Sequence, residues 1–153
     1  MSGAKRLSDE EFDALVNSIQ EQSFMEAKEA YGEKGFARWR NPKFSGVMDD
    51  ADCSISLTGK CGDTIQMFLK FDGDQVARAS YTTTGCASSQ LAGSFTAELA
   101  IGRSVEQLFS ITPDEVVREI GKLPANDQHC AELSVQVLHE CANKYMLEIT
   151  DKS

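Results

Sequence analysis

The chain has 153 residues, enough for one domain with its own core, and its 41% hydrophobic and 25% charged residues are an ordinary globular mix. A formal net charge of −9 disfavours phosphate backbones, so nucleic-acid binding is not expected. No apolar run is long enough to cross a bilayer, and the opening Met1-Ser2-Gly3-Ala4-Lys5-Arg6 leads into acidic residues, so neither a membrane span nor a secretory signal is expected and the cytoplasm is the expected compartment.

Ser8, with Glu11 three residues on, reads as a capping box that opens a helix. Phe12, Leu15, Val16 and Ile19 then form an apolar stripe at helical spacing, and the pattern fades towards Tyr31-Gly32. From Ser8 through Glu33 there are eight acidic residues but only Lys28 as a base, which predicts a solvated helix packed on the domain or on a neighbour; a dedicated docking helix is the sharper alternative. A short helix over Glu33–Arg40 ends at Asn41-Pro42. Asp49-Asp50-Ala51-Asp52 lacks the alternation and glycine of a calcium loop and reads as solvated surface.

Three strand signals follow. Cys53, Ile55 and Leu57 alternate with Ser54, Ser56 and Thr58; Ile65, Met67, Leu69 and Phe71 alternate with Thr64, Gln66, Phe68 and Lys70; Val76–Thr84 is rich in Thr, Val and Tyr. Asp72-Gly73 predicts a tight hairpin, and Gly59-Lys60-Cys61-Gly62 separates the first two runs. Helices are then predicted over Ala87–Ile101, from Ser104 with Gln107 as a capping box, from Thr112-Pro113-Asp114-Glu115 to Gly121, and from Leu123-Pro124 to about Ile149, the last carrying Leu133, Val137, Cys141 and Tyr145 on one face. The expected class is α+β: a three-stranded antiparallel meander with helices on one face, plus an N-terminal helical extension. The expected organisation is an acidic extension over 1–30 and a main domain over 31–153.

The chain has five cysteines, Cys53, Cys61, Cys86, Cys130 and Cys141. An odd count without a secretory signal argues against a disulfide framework, and no C-x-x-C occurs. Any thiol site must therefore be assembled from distant segments. Antiparallel pairing puts the end of the first strand and the end of the third on one edge of the sheet, so Cys61, Asp63 and Cys86 fall together. Cys86 opens a helix, where backbone N–H groups favour a thiolate. His129 and Cys130 occupy the first turn of the last helix, with Asn126 or Asp127 as its cap; if that end lies at the same edge, five ligands converge. Three thiolates, an imidazole and a carboxylate suit zinc or an iron–sulfur cluster, and a closed tetrahedral zinc site would need only four. Cys141, Phe68, Phe71, Phe95 and Trp39 read as packing residues, His139 as a surface or packing residue, and Cys53 as a packing residue with an auxiliary role at the site left open.

Asn41-Pro42, Cys61-Gly62-Asp63, Thr82-Thr83-Thr84-Gly85-Cys86 and His129-Cys130, with Tyr31-Gly32-Glu33-Lys34 before them, resemble the U-type iron–sulfur cluster assembly scaffolds, the IscU, NifU N-terminal and SufU group. The resemblance covers about Tyr31 to Ile149. It implies a scaffold and carrier, not an enzyme, that accepts sulfur from a cysteine desulfurase and iron, builds a transient [2Fe–2S] cluster, and passes it to acceptor proteins. It implies Cys61, Cys86 and Cys130 as sulfur acceptors and ligands, His129 and Asp63 as alternate ligands, zinc as a frequent occupant of the purified protein, and a monomer or dimer. The alternative is a zinc-assisted persulfide acceptor, a sulfurtransferase that forms no cluster. IscU proteins carry Leu-Pro-Pro-Val-Lys for a dedicated chaperone, whereas this chain has Leu123-Pro124-Ala125-Asn126-Asp127, with an aspartate where the lysine would stand.

Overall fold

The three strand signals pair as one sheet in the computed structural model, which describes residues 6–152, with side chains to residue 150. Strands β1 (Cys53–Thr58), β2 (Thr64–Asp72) and β3 (Gln75–Thr83) lie antiparallel in the order β1-β2-β3. Cys53 faces Leu69, Thr58 faces Thr64, and Ile65 faces Thr83. Period-two alternation sends Ile65, Met67, Leu69 and Phe71 inward with Cys53, Val76, Ala79 and Tyr81, all buried. The hairpin turn sits one residue later than Asp72-Gly73 suggests. Asp72 still pairs with Gln75, so Gly73-Asp74 forms the loop, with Gly73 at φ 65°, a conformation glycine adopts without strain. The outer edge of β3 is covered by the segment after Pro42: Tyr81 N–H donates to the Phe44 carbonyl at 2.9 Å, and Gly46 N–H to the Tyr81 carbonyl at 2.8 Å.

The helices are α1 (Asp9–Arg40), α2 (Ala87–Ala100), α3 (Val105–Leu108), α4 (Pro113–Ile120) and α5 (Gln128–Lys152). Helix α2 packs on β3, α5 packs on β1 and β2, and α4 packs on both helices. Leu91 and Phe95 of α2 and Val137 and Leu138 of α5 meet the inward sheet residues in one core. Ser8, Ser104 and Thr112 cap their helices as read, and the reciprocal box closes at Ser104 but not at Ser8. Glu11 N–H donates to Ser8 Oγ, Ser104 and Gln107 complete a reciprocal box, and Glu115 N–H donates to Thr112 Oγ1. The start of α5 differs from expectation. Ala125–Asp127 forms a 3₁₀ turn running into α5, and the Asp127 carboxylate is turned to accept from Ser88 Oγ at 2.8 Å.

Within α1, Gly32 sits at φ 74° and ψ 178°, outside helical space. Phe24 and Phe36 would be about 18 Å apart along a straight helix. Their ring centroids are 6.0 Å apart, and Phe24 lies 6.1 Å from Trp39, so the two arms fold back on each other. The second arm docks on the domain. Lys34 pairs with Glu119 at 2.9 Å, and the Arg38 guanidinium reaches Ser94 and Glu98 while lying 4.0 Å over the Phe95 ring. The first arm leaves Phe12, Leu15, Val16 and Ile19 between 43% and 59% exposed, so the stripe that predicts a packed face stays at the surface of this chain. Among the described residues no helix is long and apolar enough to cross a membrane.

Gly93 is where α2 meets β3: a Cβ there would lie 2.5 Å from Tyr81 Cδ2. Gly→Ala in a free helix stabilises, but here the methyl overpacks a buried ring. Gly93→Ala is expected to lower stability by about 1–3 kcal/mol in urea denaturation.

Candidate metal and sulfur site

The meander delivers the β1–β2 turn and the exit of β3 to one end of the sheet. Gly59 N–H donates to the Asp63 carbonyl at 2.9 Å and Gly62 N–H to the Gly59 carbonyl at 3.0 Å, closing a turn that carries Cys61, with Gly62 at φ 91°. Beside it Thr84 N–H donates to the Thr64 carbonyl and Thr64 N–H to Thr84 Oγ1, both at 3.1 Å, so β3 leaves the sheet next to the start of β2. Cys86 follows as the N-cap of α2 in extended conformation, φ −77° and ψ −175°. The first turn of α5 brings Cys130 beneath. One ligand atom each from Asp63, Cys86 and Cys130 lie within 4.8 Å of one another.

The other two sequence candidates flank this trio without joining it. His129 is exposed, with Nε2 3.7 Å from Cys130 Sγ. Cys61 is exposed and lines, with Leu57, Gly59, His129 and Leu133, a cavity of about 570 Å³ between the β1–β2 turn and α5. The structure thus gathers one carboxylate and two thiols, with a third thiol and an imidazole on the adjoining wall. Cys53 and Cys141 are buried in the core, as read. His139 Nε2 donates to the Ile111 carbonyl at 3.0 Å, a packing role.

The serines of α2's first turn carry no signal in the sequence reading, yet they organise the site. Ser88 and Ser89 are fully buried. Ser89 Oγ lies 2.8 Å from Asp63 Oδ2 and 3.4 Å from Cys130 Sγ, placing one hydroxyl between two of the three ligands. Ser88 Oγ donates to Asp127 Oδ2 and lies 3.2 Å from Tyr31 Oη, linking the start of α2 to the 3₁₀ turn before α5 and to the end of α1's first arm. Two adjacent serines in the first turn of α2 are the trace this leaves in sequence. Gly85 is needed for close approach: a Cβ there would stand 2.5 Å from Asp63 Oδ2 and 2.6 Å from Ser89 Oγ.

Cys130 is 1% exposed, and burial pushes its thiol up to about 11; the neighbouring Cys86, Asp127 and Asp63 push the same way, and the Ser89 hydroxyl opposes them. Near neutral pH the deepest candidate donor is thus a thiol, and a cation bound there would have to displace its proton. The donor set is two soft sulfurs and one hard oxygen, which suits zinc or iron–sulfur chemistry and leaves the oxygen as the weakest contact to a soft metal.

A family model described as the NifU-like N terminal domain matches residues 30–152. The chain belongs to this family. An iron-sulfur cluster assembly scaffold protein IscU of Archaeoglobus fulgidus is 30% identical over 117 residues, covering 75% of this chain and 76% of that protein. Its counterpart in Aquifex aeolicus is 27% identical over 122 residues, 77% of each chain. The crystal structure of a nitrogen-fixing NifU-like protein (N-terminal) from Brucella abortus superposes with a TM-score of 0.60 over 78% of this chain and 96% of that one; at 19% identity this bears on the fold alone. The U-type family accounts for the order of motifs along the chain, and the geometry adds how this NifU-like domain holds them. Tyr31 hydrogen-bonds Ser88, Gly32 makes the reversal, and Lys34 pairs with Glu119.

Two outcomes are expected at this site. Gly85→Ala should displace the Asp63 carboxylate and weaken zinc binding by roughly 10–100-fold, the scale of losing a ligand's support, in a chelator-competition titration. The Cys130 thiol, with an ordinary value of 9.0 and a folded one of about 11, holds its proton more tightly when folded. Its contribution to stability is therefore full below pH 9 and lost as pH rises from 9 to 11. Metal-free Cys130→Ala should show a shallower alkaline loss of stability than the parent chain in denaturant melts across that range.

Proposed function

We propose that this chain is a scaffold and carrier for iron–sulfur cluster assembly, with Asp63, Cys86 and Cys130 as the core of the site and Cys61 and His129 as its movable members. The observation that carries this reading is the approach of the Asp63, Cys86 and Cys130 ligand atoms to within 4.8 Å of one another, at the sheet end where Cys61 is also displayed. The cluster is cargo, so the protein turns over no small-molecule substrate of its own. Sulfur arrives from a cysteine desulfurase, iron is added, a [2Fe–2S] cluster forms, and acceptor proteins take it. The scaffold names of the IscU relatives support the role, and the donor set supports the cargo.

Each member of the site has a task its placement suits. Exposed Cys61 and Cys86 are open to an incoming sulfur donor, because a thiolate must reach its partner to react. Buried Cys130 anchors the floor. Asp63, the one hard ligand, is the contact that lets go, and His129 stands close enough to Cys130 to take a vacated position. Zinc fits the same ligands in the absence of iron and sulfide.

The exposure of Cys61 beside a cavity, apart from the trio, favours a second reading in which the protein receives sulfur as a persulfide with zinc assistance and forms no cluster. Anaerobic reconstitution with ferrous iron and a cysteine desulfurase separates the two. The scaffold reading expects a [2Fe–2S] visible spectrum with matching iron and sulfide in the parent chain, lost in each of Cys61→Ala, Cys86→Ala and Cys130→Ala. Sulfur retained as persulfide with or without iron, and no chromophore, selects the relay instead. Asp63→Ala is expected to load but to release its cluster to an apo-acceptor roughly tenfold more slowly, a change of about 1.4 kcal/mol in barrier. Release at the parent rate would remove Asp63 from the labile role.

A further inference from the structure

The site uses three of the five cysteines. The remaining two, Cys53 and Cys141, are 88 positions apart in sequence, and their sulfurs stand 2.8 Å apart in the core. Cys53 is 4% exposed and Cys141 0%. Cys53 is the first residue of β1, paired across the ladder with Leu69. Cys141 lies in the middle of α5, eleven residues beyond Cys130 and so about 16 Å along the helix from it. One turn further on, the Tyr145 ring stacks on Phe71 at 3.9 Å, pinning α5 to the sheet beside the pair.

We propose that Cys53 and Cys141 form an oxidisable pair, a second thiol site separate from the cluster site, which closes to an intramolecular disulfide under a small oxidant such as hydrogen peroxide. A disulfide needs its sulfurs at about 2.05 Å. The two side chains already face each other at 2.8 Å from elements held in register by the core, so bonding requires them to close by less than an ångström.

The chemistry balances in two steps. A thiolate of one cysteine attacks a peroxide oxygen. The S–O bond forms, the O–O bond breaks, and the departing hydroxide takes up that cysteine's proton as water, leaving a sulfenic acid. The second thiol attacks the sulfenic sulfur. The S–S bond forms, the S–O bond breaks, and the hydroxyl leaves as water with the second thiol's proton. Two thiols lose two electrons, one peroxide gains them, and two waters are released.

Burial sets both the rate and the persistence of this reaction. The contact with Cys53, followed by desolvation, pushes the Cys141 thiol up, so little thiolate is present and oxidation is slow compared with a solvent-facing thiol. The same burial keeps bulky thiols away from the finished bond. The crosslink would tie the start of β1, which leads into the Cys61 turn, to α5, which carries His129 and Cys130. It would close a long loop and restrict the unfolded chain, raising stability without adding a ligand to the cluster site.

The test is peroxide treatment of the reduced full-length chain, followed by unfolding under alkylation, intact mass and peptide mapping. The same treatment is applied to a Cys61→Ala/Cys86→Ala/Cys130→Ala variant, in which only the pair remains. The expected result is a peptide linking Cys53 to Cys141 in both proteins and a loss of two hydrogens from the triple variant. The melting temperature of that variant should rise by about 10 °C, reversed by dithiothreitol. Cys53 and Cys141 recovered as alkylated thiols, or as separately oxygenated sulfurs with no linking peptide, would overturn the proposal. If the triple variant does not fold, the linking peptide in the parent chain decides alone.

Discussion

A single buried hydroxyl, Ser89 Oγ, joins three segments that are far apart in sequence. It lies between the Asp63 carboxylate from the β1–β2 turn and the Cys130 sulfur from the start of α5, and it belongs to the first turn of α2, just after β3. In a water-poor pocket such a bond is strong when made and costly when left unmade, so it fixes the relative placement of all three chain segments. Gly85 makes the arrangement sterically possible, because any side chain there would occupy the space of the carboxylate. Ser88, one residue earlier, extends the same brace to Asp127 and Tyr31. The site therefore rests on the N-terminal turn of one helix more than on the loops that carry its ligands.

That brace creates an asymmetry which the proposed scaffold can use. Cys130 sits at the bottom, buried and protonated; Cys86 and Cys61 lie at the top, open to solvent. In the proposed scaffold, loading would begin at the open thiols and end by displacing the proton of the deep one, coupling binding to proton release. Unloading would meet its weakest bond at Asp63, the one hard oxygen among the donors. A site of four equivalent buried thiolates would hold its metal without such an order. The positions of Cys61 and His129 outside the trio fit a cluster that is built and passed on, since a ligand that changes partners has to be free to move.

Much of this was legible in the sequence, because the decisive signals are local. Alternation in Thr64–Phe71, broken only at Phe68, the capping residues Ser8, Ser104 and Thr112, and glycines at 102 and 121 set the elements within a residue or two. Antiparallel pairing alone then brought Asp63 and Cys86 to one edge. The parts that could not be read depend on tertiary geometry. Gly32 signals the end of a helix, but only its φ of 74° and the packing of Phe24 on Phe36 and Trp39 reveal a reversal. Asp127 looks like a helix cap until Ser88 claims its carboxylate. Ser88 and Ser89 look like unremarkable helix residues because their importance lies in what the chain places against them, and Cys61 stands off the trio because of how a four-residue turn happens to close.

The five cysteines fall into two groups, Cys61, Cys86 and Cys130 at one end of the sheet and Cys53 and Cys141 in the core, and one helix connects them. Helix α5 presents Cys130 to the site from its first turn and Cys141 to Cys53 three turns later. A rigid rod anchored by Tyr145 on Phe71 cannot shift at one of these points without moving the other. The sheet imposes the same linkage from the other side: Cys53 begins the strand whose far end becomes the Cys61 turn. The contact between Cys53 and Cys141 thus joins the strand and the helix that form the two walls of the proposed site. In the dithiol form the two walls are held by packing and by Lys144 Nζ, which donates to the Ser54 carbonyl at 3.3 Å. With the sulfurs joined, a covalent bond would tie β1 to α5, leaving the β1–β2 turn and the side chain of His129 as the movable parts of the proposed site.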